Sequence, residues 1–175
     1  ASNVVSKVRT VCVEDTKAPV IDTLGDARIQ IGSVWFDQTI ATDAYDNNPV
    51  LVKDWGFNGP VNTLLRRTYP VVYTAVDGSN NVSAPISRNY RVDDFIPPVI
   101  SLNTFDIVRH EVRTAYNSVP ASVSDNYYVS GQVSLVKIFS DVNANLLGTY
   151  TEVFEAIDGS GNKTQKTRTV IVEDT

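Results

Sequence analysis

Methionine is absent from the 175 residues, cysteine and histidine occur once each, and the basic residues are scattered. No apolar run approaches the roughly 18 residues needed to cross a bilayer, and no signal peptide is visible. The lone cysteine, Cys12, excludes an internal disulfide framework and a cysteine-based zinc site. The lone histidine, His110, falls in "VRHEV" with no serine or cysteine motif directed at it. That setting fits a strand-surface residue rather than a member of a triad. A net charge of −5, a sequence pI near 4.8 and a single adjacent basic pair, Arg66 and Arg67, argue against a nucleic-acid partner. Phosphate binding needs clustered Lys and Arg. Gly-rich phosphate loops are missing as well, since "GSNN" and "GSGN" sit in turns and open no helix. The lack of Met even at position 1 points to a mature or excised piece.

What the chain does contain is a repeat. "APVI" at 18–21 returns as "PPVI" at 97–100, and "YDN" at 45–47 as "SDN" at 124–126, both 79 residues on, which pairs Asp46 with Asp125. "YPVVYTAVDGSNN" at 69–81 returns as "YTEVFEAIDGSGN" at 150–162, 81 residues on. "KVRTVCVEDT" at 7–16 returns as "KTRTVIVEDT" at 166–175, with "NYRVDD" at 89–94 as the copy between them. The expected organisation is therefore an orphan last strand and linker at 1–16, then repeats at 17–94 and 95–175, cut from a longer array. Residues 1–16 read as the end of a preceding repeat or as a strand donated to another chain.

Each repeat is written in strand and turn vocabulary: short Val-, Ile-, Thr- and Tyr-rich segments cut by Gly, Pro, Asn and Asp. "ARIQI" (27–31), "NPVLVKDW" (48–55), "TYPVVYTAV" (68–76) and "ISRNYRV" (86–92) are candidate strands. About seven strands in roughly 80 residues predict an all-β chain of two antiparallel sandwiches. The three copies of the last strand orient it. Val11, Tyr90 and Val170, with Val13, Val92 and Val172, are always apolar and should face inward. Cys12, Arg91 and Ile171 vary and should face outward.

"EDTKAPVI", "GSVWFDQTIATDAYDN", "TYPVVYTAVDGSNN" and the closing "RVDD" resemble the bacterial immunoglobulin-like repeats found in tandem on large surface proteins. They resemble, more distantly, the hyalin-repeat modules of extracellular animal proteins. The first repeat has Trp35 and Asp37 at the family's aromatic and Asp positions, and Arg67 where a Gly is usual. The second keeps both ends, but "RHEVRTAYNSVPASVSDN" has neither the Gly nor the first Asp. The resemblance implies tandem immunoglobulin-like sandwiches in an extracellular stalk, filament or adhesin. Implied partners are neighbouring repeats, like subunits, or a surface glycan or host surface.

Two readings of the acidic turns stand side by side. Asp-Gly builds hairpin turns, and Asp and Asn are default turn residues. Alternatively, the loops at one end of each sandwich gather oxygen ligands for Ca²⁺ at a domain junction. The candidates at the first junction are Glu14, Asp15, Asp43, Asp46, Asn47, Asp77 and Asn80. Those at the second are Asp93, Asp94, Asp125, Asn126 and Asp158, while Asp174 would await a further unit. These are not EF-hand loops, because the twelfth positions are Arg88 and Thr169 instead of Glu. Trp35, Trp55 and Tyr45 could form a sugar-stacking platform, as in an accessory carbohydrate-binding module, although core packing is the favoured reading for both Trp.

Overall fold

Alternating apolar residues between Pro-, Asn- and Gly-bearing turns fold into strands throughout the computed structural model, which describes residues 3–22, 24–103, 105–129 and 131–175. Two compact units result, 1–92 and 93–175. The described residues contain no α-helix, only a 3-10 turn at Gly56–Asn58. The division falls between Val92 and Asp93, and Asp94 joins the acidic cluster of the second unit.

In the first unit β1 (Val20–Ile21) pairs with β3 (Ala41–Thr42). The larger sheet has the order β2 (Ala27–Gln30), β6 (Ile86–Asp93), β5 (Arg67–Val76), β4 (Val50–Asp54). In the second unit β7 (Val99–Ser101) pairs with β9 (Ser122–Ser124). Its larger sheet runs β10 (Ser134–Ser140), β11 (Gly148–Ile157), β12 (Lys163–Glu173), β8 (Ile107–Glu111). Each unit is an immunoglobulin-like sandwich. β8 lies parallel to β12, which departs from the antiparallel expectation. Parallel neighbours need a long connection, which residues 112–162 provide.

Strand parity sets the cores. Along β5 the residues Tyr69, Val71, Tyr73 and Ala75 are buried and their neighbours face out; Tyr90 and Val92 of β6 join them. In the second unit Phe154, Ala156, Val170 and Val172 hold the corresponding places, with Ile100 and Leu102. Each β5-type strand begins with a tyrosine whose hydroxyl donates back to the preceding turn. Tyr69 reaches the Asn62 carbonyl (3.1 Å) and Tyr150 the Leu146 carbonyl (2.9 Å), a tyrosine corner in both units. Tyr69→Phe should cost about 1 kcal/mol, a loss of several degrees in the melting temperature of the first unit by calorimetry.

The N-terminal segment behaves differently. Residues 3–19 form no strand, and Val4, Val5, Val8, Val11 and Val13 stand 72% to 94% exposed. Val11 and Val13 therefore do not face inward here, and Cys12 is exposed beside them. Residues 1 and 2 of the expected orphan strand lie outside the described residues.

Each sandwich also encloses an ionised network. In the first, Asp37 accepts hydrogen bonds from the Tyr73 and Tyr90 hydroxyls (2.8 and 2.9 Å) and from the Thr39 N–H (3.0 Å). It also pairs with Lys53 at 2.9 Å. Arg88 donates to Thr39 Oγ1 and to the Tyr90 hydroxyl, both at 3.1 Å. In the second, Glu152 and Arg168, both fully buried, pair at 3.2 Å, and Lys137 reaches Glu152 at 2.9 Å. Arg168 also donates to the carbonyls of Val119 and Leu102 (2.6 and 2.9 Å).

Burial by itself would raise both carboxyls. For Asp37 the Lys53 pair, the Thr39 backbone and side chain and the Tyr73 hydroxyl outweigh it and hold the group well below its ordinary value of 3.8. For Glu152 the Lys137 and Ser118 hydrogen bonds, the Lys137 charge and Arg168 do the same relative to 4.5. Between the lowered and the ordinary value the folded chain binds fewer protons than the unfolded one, so stability rises with pH there. Both units should be fully stabilised above about pH 5 and lose stability as the pH falls below about 4. Melting followed from pH 7 to 2 checks this; a flat profile through the acid range would contradict it.

Candidate metal centres

The "DGS" turns answer to backbone geometry first. Asp77 and Asp158 close β5 and β11, and each caps its own turn. Asp77 Oδ1 accepts the N–H groups of Ser79 and Asn81 (2.9 and 2.8 Å). Asp158 Oδ1 accepts those of Ser160 and Asn162 (both 2.8 Å). The fourth turn residue has positive φ, 67° at Asn80 and 86° at Gly161. Only Gly, Asn or Asp adopts that conformation readily, which is why the motif alternates between Asn and Gly there. Asn80 thus serves the backbone. The side chain that braces the site is the next one, which sequence reasoning passed over. Asn81 Nδ2 donates to Asp77 Oδ2 (2.8 Å) and to the Asp15 carbonyl (3.1 Å). Asn162 Nδ2 donates likewise to Asp158 Oδ2 (2.7 Å) and to the Asp94 carbonyl (3.1 Å). The signal for it was the shared fifth position of "DGSNN" and "DGSGN".

Two further aspartates converge on each turn. In the first unit carboxylate oxygens of Asp15, Asp43 and Asp77 lie within 4.8 Å of one another. In the second, those of Asp94, Asp125 and Asp158 do so. The middle members are structural counterparts. Each directly follows the strand of the small sheet, and each Oδ1 accepts two N–H groups, two and three residues on. The partners are Tyr45 and Asp46 for Asp43, and Tyr127 and Tyr128 for Asp125. This corrects the pairing of Asp46 with Asp125. Thr42 pairs with Val20 as Ser124 pairs with Val99, so Asp125 corresponds to Asp43.

The other candidates take supporting or separate positions. Asp46 pins the turn from outside, its Oδ2 accepting the Gly78 N–H at 2.8 Å. Tyr128 does the equivalent work in the second unit: its hydroxyl meets Ser160 Oγ at 3.0 Å. Its ring leaves no room for a Cβ at Gly159, which would stand 2.5 Å from Cε1. Asn126 Nδ2 donates to Asp94 Oδ1 (3.3 Å), and Asp93 Oδ1 accepts from Ser160 Oγ (3.2 Å). Glu14 is exposed and outside the clusters, and Asn47 is exposed.

Three carboxylates this close repel one another, and no Lys or Arg forms an ion pair with Asp15, Asp43, Asp77, Asp125 or Asp158 among the described residues. Burial pushes the Asp77 carboxyl up, but the Asn81 side chain and the N–H groups of Asn81 and Ser79 hold it below its ordinary value. It is therefore an anion at neutral pH. Asp125 Oδ2 is buried and has no hydrogen-bond partner. An all-oxygen, multiply charged donor set of this kind fits a hard divalent cation such as Ca²⁺.

The aromatic candidates differ in exposure. Trp35 and Trp55 are half-buried against the first core, Trp35 meeting Tyr90 edge-on at 4.8 Å, and Tyr45 is exposed. His110 sits on β8 with its Nε2 3.2 Å from Thr114 Oγ1 and its ring edge-on to Tyr116.

No protein-family model matches the chain. An uncharacterized 81.3 kDa protein of Acholeplasma phage L2 is 36% identical over 103 residues, 57% of this chain and 14% of that protein. The chain therefore spans about a seventh of that relative's length. Among solved structures, the protocadherin gamma B4 extracellular domain aligns over 91% of this chain and 33% of its own, at 19% identity and a TM-score of 0.36. Clostridium thermocellum CbhA fibronectin(III)-like modules align over 89% and 94%, at 16% identity and a TM-score of 0.35.

Proposed function

We propose that the chain is a non-catalytic structural or adhesive segment, two tandem immunoglobulin-like repeats of an extracellular stalk, with one Ca²⁺ bound by each three-aspartate cluster. Its partners are further repeats of the same kind. The observation that carries this reading is the recurrence of the cluster. Two units that differ through much of their middle both bring three aspartates within 4.8 Å and brace them with the same asparagine. Asp15 and Asp94 stand on the segments that lead into their units, so an ion there would tie that segment to two loops of the same unit. Such a clamp suits a chain that carries load along its length. No helix of the described residues is long and apolar enough to cross a membrane.

The phage relative favours a second placement of the same stalk, on the outside of a virion instead of a cell surface. Single-molecule pulling on the chain with calcium and then with a chelator tests the load-bearing reading. Both units should unfold at higher force with calcium; equal forces under the two conditions would overturn it.

A further inference from the structure

Residues 3–15, "NVVSKVRTVCVED", match residues 162–174, "NKTQKTRTVIVED", without a gap. In the second unit that sequence is Asn162 followed by β12, which pairs with β11 on one side and β8 on the other. There Arg168, Val170 and Val172 are buried, and Asn162 braces Asp158. The N-terminal copy does none of this. It forms no strand and leaves five valines in solvent; Val5, Val11 and Val13 share the parity of the inner face of β12, and their burial would be favourable. Neither described sandwich has room for it, because β6 and β12 already fill the corresponding slots.

The geometry points to residues 4–14 as the closing strand of a further sandwich of this same repeat type, one that lacks a closing strand of its own. The filled slots define the chemistry of the empty one. Arg9 holds the place of Arg168, whose guanidinium is met by Glu152 and two carbonyls, and of Arg88, which is met by the Thr39 and Tyr90 hydroxyls. The receiving sandwich must therefore offer Arg9 a carboxylate or a group of hydroxyls in its interior, and Val11 and Val13 an apolar wall. It must also present a strand on each side. Cys12 takes the outward place of Ile171, and Asn3 the place of Asn162 beside an Asp-Gly turn. The inference is independent of the calcium reading and is tested with a chelator present.

Residues 93–161 joined directly to Asn3 of the full chain place the tail where β12 stood. Amide exchange at Val8–Val13 should slow on the order of a hundredfold relative to the unextended chain, and Arg9→Ala in the fusion should abolish that protection. Exchange as fast as in the unextended chain, or protection indifferent to Arg9→Ala, would overturn the inference. A second variant replaces residues 163–173 of the full chain by residues 4–14. Its second unit should keep its amide protection, and loss of that protection would overturn the inference too.

Discussion

A chain carrying Glu152→Ala should melt its second unit on the order of 20 °C early while its first unit melts unchanged. The substitution leaves the Arg168 guanidinium fully buried with two carbonyls and no counter-charge. Removing one partner of a buried pair costs roughly 3–5 kcal/mol, most of it the penalty of the charge left behind. Lys137 is a third exposed and can turn to water, so it adds little to the loss. The mechanism has its own control. Glu152→Leu combined with Arg168→Leu removes both buried charges and should recover most of the lost stability, because a well-packed apolar pair replaces a buried ion pair at little cost. Calorimetry of the three chains, reading the two transitions separately, checks both statements.

Asp37→Ala should lower the first transition by a smaller amount, about 2–4 kcal/mol or on the order of 15 °C, and leave the second in place. Four donors lose their acceptor: the Tyr73 and Tyr90 hydroxyls, the Thr39 N–H and the Lys53 ammonium. The loss is softened in two ways. The tyrosine hydroxyls still meet each other at 2.7 Å, and Lys53, a third exposed, can be solvated. The carboxylate that anchors each sandwich thus comes from a different place in each, from the loop ahead of β3 in the first unit and from β11 in the second.

That difference bears on what the sequence made legible. The missing Asp in the middle of the second repeat was visible, while its replacement went unread although strand parity carries it. Glu152 is in phase with Phe154 and Ala156, and Arg168 with Val170 and Val172, so parity alone puts both charges on the inner face. Two charges in phase with a core are a pair in waiting, and no turn or motif rule flags them. The long strands were legible for the same reason of parity, and β5 and β6 lie within a residue or so of their expected limits.

The acidic clusters were legible as residue types but not in their internal wiring. A constant offset of 79 matched Asp46 to Asp125, whereas strand pairing makes Asp43 the counterpart of Asp125 through an offset of 82, because the second repeat carries three more residues before its β9. Asn81 escaped because Asn80, beside it, is the residue a turn rule selects. The N-terminal segment taught the reverse. Its alternation predicts a strand, yet residues 3–19 form none, because a strand exists only against a sheet and none of the described residues offers it one.

Calcium titration calorimetry on the full chain, beside Asp77→Asn and Asp158→Asn, tests whether each aspartate cluster holds a calcium ion. Asn keeps the Oδ1 acceptor that each turn requires, so the hairpins should survive while one charge per cluster is lost. Two binding events are expected in the unaltered chain and one in each variant. Calcium at a hundredfold excess over Kd should also raise both melting transitions by about 15 °C. A titration without heat and without a shift in melting, or a stoichiometry that neither variant changes, would contradict calcium binding there and leave the clusters as capped turns in solvent.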